Sequence, residues 1–420
     1  MIGSILEYYD FFIYGPLAAL VFADVFFSSD IPDAVGTLLA LLTFGVGFLS
    51  RPFGGVVMGH FGDKLGRKSM LLLSFMIMGL VTVAIGLLPS YATIGVAAPI
   101  LLTVLRFIQG FGIGGEWGGA ALLAVESAPE NKKHFFGSLV QASAPIGVAL
   151  SSGTIAIITA ILSREQLVAW GWRIPFLLSI LLVLFGLWLR MSITETPEFA
   201  DAQARADAAE DAAKKDRLPV VQAIARFPKQ IAAMIGTHVS DTTLGFINGV
   251  FVIGFATGVL GFEPALVLAA NLASAAVNFV FTILAGRVSD KHGPQRVLIP
   301  ATIALGLWAF PAFWLLNTHS VPLLFLVMMV GGALVGSLFS PQASLFAQVL
   351  PTKVRYSGMS VGFQVATVLG GGLGPIIAQW LRNETGGTTA VSAYILIIAV
   401  IAFFSVRFLT RPENKLTEDF

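Results

Sequence analysis

The chain has 420 residues, 56% of them hydrophobic and only 12% charged, with a net charge of +1 and a mean hydropathy of +0.84. A soluble domain carries roughly a quarter of its residues as charges, so the shortage here points to a chain surrounded by lipid rather than water. With no cysteine present, disulfides, thiolate catalysis and cysteine metal sites are excluded.

A helix needs about 20 mostly apolar residues to cross a bilayer. Twelve such spans are predicted, at 3–27, 35–59, 69–89, 95–125, 136–162, 171–192, 230–260, 264–288, 297–317, 321–348, 357–381 and 388–409. The first is not expected to be a cleaved signal peptide, because it lacks a basic leader and Glu7 and Asp10 interrupt its apolar run. Small-residue pairs four apart, Gly55/Gly59, Gly115/Gly119 and Gly370/Gly374, predict close helix approach. The longest polar stretch, 193–229, holds a segment from Phe199 to Arg217 rich in Ala, Asp, Glu, Lys and Arg, a composition suited to exposed helix. Its acids and bases nearly cancel, so a solvated linker is expected there. It divides the chain into an N-terminal six-helix unit at 1–192 and a C-terminal one at 230–420.

Basic residues set the orientation. Lys64, Arg67, Lys68, Lys132, Lys133, Lys291, Arg296, Lys353, Arg355, Arg407, Arg411 and Lys415 all fall on one side of a twelve-span arrangement. The opposite loops hold little beyond Arg164, Arg173 and Arg382. By the positive-inside rule both termini are expected in the cytoplasm.

Two near-copies of one basic loop separate spans two from three and eight from nine. The first runs Gly59-His60-Phe61-Gly62-Asp63-Lys64-Leu65-Gly66-Arg67-Lys68 and the second Gly286-Arg287-Val288-Ser289-Asp290-Lys291-His292-Gly293-Pro294-Gln295-Arg296. A duplicated hydrophobic unit carrying the same charged hinge is the arrangement of a two-halved membrane transporter.

The ionisable residues within the spans are Glu7, Asp10, Arg106, Glu116, His238 and Asp241. A charge at the bilayer centre costs roughly 2.5–3.5 kcal/mol on insertion scales, so such residues mark function. Glu7, Asp10 and Tyr14 share one face of the first span, and Gln109 and Glu116 share one face of the fourth with Arg106 offset. His238 and Asp241 form an i, i+3 pair in the seventh. Gln141, Asn248, Asn271, Asn278, Gln342 and Gln364 add neutral hydrogen-bonding groups. Arg51, near the end of span two, is expected to snorkel, and Glu126 is a candidate helix-end partner of the basic loops.

Arg106 is the expected anchor of an anionic substrate, since its planar fork matches a carboxylate. A structural ion pair with Glu116 or Asp10 is the alternative. Tyr14, Gln109, Glu116, Gln141, Asn248 and Gln364 complete the expected substrate site. Several carboxylates around one arginine are costly to keep ionised where water is scarce, so at least one is expected to carry a proton. Asp10 and Asp241 lead, followed by Glu7, Glu116 and His238.

Further stretches join these loops in a family pattern. They are Arg106-Phe107-Ile108-Gln109-Gly110-Phe111-Gly112, Glu7-Tyr8-Tyr9-Asp10-Phe11-Phe12-Ile13-Tyr14-Gly15, and Gly114-Gly115-Glu116-Trp117-Gly118-Gly119 followed by Glu126-Ser127-Ala128-Pro129. Trp170-Gly171-Trp172-Arg173-Ile174-Pro175-Phe176 and Arg355-Tyr356-Ser357-Gly358 extend it. Over essentially its whole length the chain resembles the major facilitator superfamily, and within it the metabolite:proton symporters of the shikimate-transporter-like branch. The resemblance implies an all-α integral membrane protein of twelve transmembrane helices in two pseudo-symmetric six-helix bundles. It also implies that the loops latch the inner gate shut, through Gly59, Asp63, Gly66 and Arg67 in the first copy and Asp290 in the second, with Glu126 beside them. The second copy departs from the pattern, with Pro294-Gln295 where the first has Arg67-Lys68.

Gly110-Phe111-Gly112-Ile113-Gly114-Gly115 also meets the spaced-glycine pattern of dinucleotide sites, but it lies inside an apolar helix rather than after a strand. No zinc-protease, P-loop or serine-elbow pattern occurs, so an enzyme is not expected. The expected function is symport of a small organic carboxylate, of shikimate type first, with protons across a bacterial cytoplasmic membrane. Di- and tricarboxylates such as 2-oxoglutarate or citrate, and zwitterions such as betaine or proline, are the alternatives. The expected partners are the substrate anion, protons and the bilayer, with no nucleic acid, no cofactor and no metal, and one chain is expected to suffice.

Overall fold

The computed structural model describes residues 2–55, 57, 67–114, 121, 124–125, 128–191 and 219–414. Twelve helical spans follow one another among them. In the first half, α1 runs through Ile2–Phe12, Tyr14–Leu20 and Phe22–Phe26. Then come α2 (Asp33–Gly55), α3 (Arg67–Gly86), α4 (Ala97–Ile113), α5 (Lys133–Ile161) and α6 (Arg173–Met191). The second half holds α7 (Pro228–Gly258), α8 (Pro264–His292), α9 (Gln295–Leu316), α10 (Val321–Gln348), α11 (Thr352–Thr367 and Gly374–Thr385) and α12 (Thr389–Leu409). Eight of these are long and apolar enough by themselves to cross a membrane. The others are shorter, segmented or adjoin residues outside the described set. The Phe199–Arg217 stretch of the expected linker lies outside the described residues; its far end forms a short helix, Pro219–Arg226.

Several spans break near mid-length, and proline explains most of the breaks. A proline has no N–H to donate and its ring clashes with the carbonyl four residues earlier. Pro16 places that clash at Phe12, where the first segment of α1 stops. Pro145 places it at Gln141, where α5 divides. Pro375 places it at Gly371, inside a wide turn over Val368–Gly372 of α11. A second wide turn, Ile247–Phe251, interrupts α7 without a proline. Such turns loosen the backbone ladder and gather at functional sites. α10 also divides, at Ser340–Pro341. The breaks in α1 and α5 of the first half recur in α7 and α11 of the second, so the repeat seen in the loops extends in part to the backbone.

Small residues let the spans approach closely. A Cβ on Gly110 would run into the Gly47 carbonyl, and one on Gly114 into the Arg51 carbonyl, so α4 lies against the α2 backbone. The spaced glycines of α4 are therefore a packing surface. The two halves meet along α1 with α7, α2 with α11, and α5 with both α8 and α10. Gly15 faces Val250 at the first of these, and a Cβ there would sit 2.8 Å from the valine Cγ2.

Candidate functional site

Between the halves lies a cavity of about 200 Å³. The broken helices build much of its wall, because a break turns side chains and backbone inward that a straight helix would spread round its circumference. Glu7 and Tyr8 reach it from α1 and Arg51 from α2. His238, Asp241 and Asn248 reach it from α7, Asn271 from α8 and Gln364 from α11. Phe11, Phe12, Phe246 and Phe363 supply apolar surface between these polar groups.

The second-half wall carries a connected polar cluster. The i, i+3 spacing of His238 and Asp241 brings His238 Nδ1 within 3.2 Å of Asp241 Oδ1. Gln342 donates to the same carboxylate oxygen at 2.6 Å. His238 Nε2 lies 3.3 Å from the Thr367 hydroxyl, and its ring stacks on Phe363 at 4.1 Å. Histidine, carboxylate and amide therefore form one chain that ends at the cavity surface. Asn248, in the wide turn of α7, donates to Ser274 at 3.1 Å and to the Met328 carbonyl at 3.2 Å.

In the first half the expected groups divide into a cavity set and a sealed set. Glu7 lines the cavity, whereas Asp10, Tyr14, Arg106 and Gln109 are not among its lining residues. Arg106 is fully buried. Its guanidinium carbon stands 3.9 Å from the Tyr14 ring centre, 4.9 Å from Phe11 and 5.4 Å from Phe44. Arg106 donates to Gln109 Oε1, and Gln109 donates in turn to Thr82 at 2.7 Å and to the Asp10 carbonyl at 3.3 Å. Tyr14 bonds the Thr43 hydroxyl at 2.6 Å. This cluster ties α1, α2, α3 and α4 together behind a wall of rings. Of the two ion pairs weighed for Arg106, the one with Asp10 is not formed among the described residues, and Glu116 lies outside them.

Arg51 is the residue that sequence reasoning misplaced. It was expected to snorkel, yet it is 7% exposed and faces the cavity. Its guanidinium carbon lies 4.2 Å from the centre of the Phe11 ring and 4.5 Å from that of Phe48. Phe11 is thus held between Arg51 and Arg106. A usable signal was present, because Phe44, Phe48 and Arg51 lie three to four residues apart on one face of α2.

On the side that carries the second duplicated loop, the halves are clasped. Asp290 accepts the backbone N–H groups of His134 and Phe135 at 2.9 and 3.0 Å, where α5 of the other half begins. His134 also bonds Ser344 of α10, and Gln141 donates to the Phe339 carbonyl at 3.4 Å. Gln364 donates to the Gly114 carbonyl at 2.8 Å, closing α11 against α4. On the opposite side Ala19 and Gly254 pack together, a Cβ on the glycine standing 3.3 Å from the alanine methyl. Gly59, Asp63, Gly66, Glu116 and Glu126 lie outside the described residues, as does the side chain of Arg67.

A family model described as sugar (and other) transporter matches residues 1–418. The chain is 42% identical over 402 residues to the shikimate transporter of Escherichia coli, covering 95% of this chain and 90% of that protein. It is 32% identical over 417 residues to a proline/betaine transporter of Salmonella typhimurium, covering 99% of this chain and 83% of the relative. Among solved structures, a D-xylose-proton symporter superposes with a TM-score of 0.74 at 17% identity, over 100% of this chain and 98% of that one. An inward-open conformation of the xylose transporter XylE from E. coli gives 0.69 at 15% identity, over 99% and 95% of the two chains. The twelve-span, two-halved fold is that of the major facilitator superfamily, and the chain belongs to its sugar (and other) transporter family as a multi-pass membrane transporter rather than an enzyme.

Proposed function

We propose that the protein is a proton-coupled symporter that imports a small organic carboxylate of shikimate type by alternating access. The bacterial cytoplasmic membrane is its place, with both termini on the cytoplasmic side. The observation that carries this reading is the meeting of Glu7 and Arg51 from one half with His238 and Asp241 from the other in one central cavity. A substrate anion and a proton entering together neutralise these groups, which lowers the cost of closing the cavity around them. The halves then rock about the fixed site.

Asp241, coupled to His238 and Gln342, is the proton carrier of the second half, and Glu7 that of the first. Asp10, Arg106, Gln109 and Tyr14 act behind the ring wall by fixing the shape and charge of the first half. Asn248 and Gln364 contact substrate. The clasp at Asp290 holds the cytoplasmic gate while the cavity faces outward, and Asp63 in the first copy of the motif serves the same gate. A monoanion carried with one proton is neutral and responds to the pH gradient alone. A second proton would recruit the membrane potential, worth about 2.3 kcal/mol per charge at 100 mV. Each chain encloses its own cavity, so a monomer suffices, and the proton is the only coupling agent.

A second reading, uptake of a zwitterion such as betaine, is favoured by the proline/betaine relative and by the phenylalanines of the cavity, which suit a quaternary ammonium. Uptake of labelled shikimate into proteoliposomes with an inward proton gradient, in competition with betaine, citrate and 2-oxoglutarate, separates these readings. Gradient-driven shikimate uptake that betaine does not suppress supports the first, and its absence together with betaine uptake supports the second.

A further inference from the structure

We propose that Arg51 is the residue that grips the substrate carboxylate, and that Asn248 and Asn271 on the opposite half read hydroxyl groups at the other end of the molecule. This rests on the carboxylate symport reading above and deepens it, because it commits the site to a hydroxylated monocarboxylate.

Arg51 carries the first part by elimination and by its surroundings. It lines the cavity at 7% exposure, and it pairs with no carboxylate among the described residues. Its Nε has no hydrogen-bond partner among them. A cation so far removed from water is costly unless an anion joins it. The rings of Phe11 and Phe48 stabilise the guanidinium through their faces and leave its edge, which carries the N–H donors, for a ligand. The other arginines of the first half that lie near the spans' polar groups do not line the cavity. Arg106 is walled off by Phe11, Tyr14 and Phe44, and Arg173 donates to the carbonyls of Gly86 and Leu88.

The asparagines carry the second part. Asn248 commits its amide nitrogen to Ser274 and the Met328 carbonyl, and Asn271 commits its own to Ser152 of the other half at 2.7 Å. Both line the cavity, and their amide oxygens are the groups left to accept from a ligand. Hydroxyls donate to such acceptors, whereas carboxylates and quaternary ammonium groups do not. A di- or tricarboxylate would set a second anion against these acceptors, and betaine would leave them unmatched.

The test is equilibrium binding of shikimate, its uncharged methyl ester and cyclohex-1-enecarboxylate to the purified full-length protein in detergent. Arg51→Gln, Arg51→Lys and Asn248→Ala are compared with the parent protein. The parent is expected to prefer the acid over the ester by about tenfold to a hundredfold, the worth of a charge-assisted hydrogen bond. Arg51→Gln should bind the two alike, Arg51→Lys should restore part of the preference, and Asn248→Ala should keep it while losing preference for shikimate over the hydroxyl-free acid. Retained binding of the ester shows that Arg51→Gln is folded; if that variant binds neither ligand, partial acid preference in Arg51→Lys supports the assignment and undiminished preference there overturns it. Undiminished acid preference in Arg51→Gln overturns the inference alone. Failure of the parent protein to bind shikimate at all overturns the carboxylate reading on which it rests.

Discussion

The Asp290 carboxylate accepts the backbone N–H of His134 at 2.9 Å, and with it that of Phe135 at 3.0 Å, from the opposite half of the molecule. Both groups belong to the first turn of α5, whose N–H groups have no partner within the helix. Asp290 therefore caps a helix that is not its own, and the cap also places a negative charge at the positive end of that helix. A bond that spans the two halves has to break if they part on this side, which is the physical basis of the latch proposed above.

Replacing Asp290 by alanine should shift the resting population toward the state open on that side. A lost cap costs roughly 0.5–2 kcal/mol, or about twofold to thirtyfold in the conformational ratio. Asp290→Asn, which keeps one acceptor, should shift it less. The chain contains no cysteine, so pairs of introduced cysteines carrying spin labels across α5 and α8 report the distance without background. An unchanged distance distribution in Asp290→Ala would remove the latch role.

Asp241 receives Gln342 at 2.6 Å and faces His238 at 3.2 Å. If this pair carries the proton, Asp241→Asn should uncouple transport without abolishing it. With one proton per neutral substrate complex, a gradient of one pH unit supports about tenfold accumulation, since each unit is worth about 1.4 kcal/mol. The variant should equilibrate substrate without concentrating it while still exchanging labelled for unlabelled substrate. Full accumulation in Asp241→Asn would place the proton elsewhere.

The packing of α4 on α2 gives a stability prediction. A Cβ on Gly110 meets the Gly47 carbonyl, a backbone atom with no room to yield, whereas one on Gly153 meets nothing within 4 Å. Gly110→Ala should destabilise by about 1–3 kcal/mol through overpacking. Gly153→Ala should be neutral or slightly stabilising, because alanine favours helix. Thermal unfolding of the two variants in the same detergent makes the comparison, and equal midpoints would contradict the close approach.

Periodic and local features were legible in the sequence. The spans follow from apolar length, the relation of His238 to Asp241 from i, i+3 spacing, and the repeat from two copies of one loop. Long-range packing was not. Arg106 looked like a cavity residue because a helix shows which residues share a face but not which neighbours cover that face. Here Phe11 and Tyr14 of α1 and Phe44 of α2 cover it. Arg51 looked like a snorkelling residue because its position near the end of a span suggests depth, whereas its direction depends on Phe11 and Phe48. The departure at Pro294-Gln295 follows Asp290 in the chain and falls where α9 begins, a position that accepts proline readily.

The central claim is that proton flow drives a hydroxylated carboxylate through this cavity. Uptake of labelled shikimate into proteoliposomes, with and without an imposed inward proton gradient, tests it most directly. Concentrative uptake that collapses when a protonophore removes the gradient is the predicted result. Uptake that is indifferent to the gradient, or no uptake of shikimate at all, would contradict it.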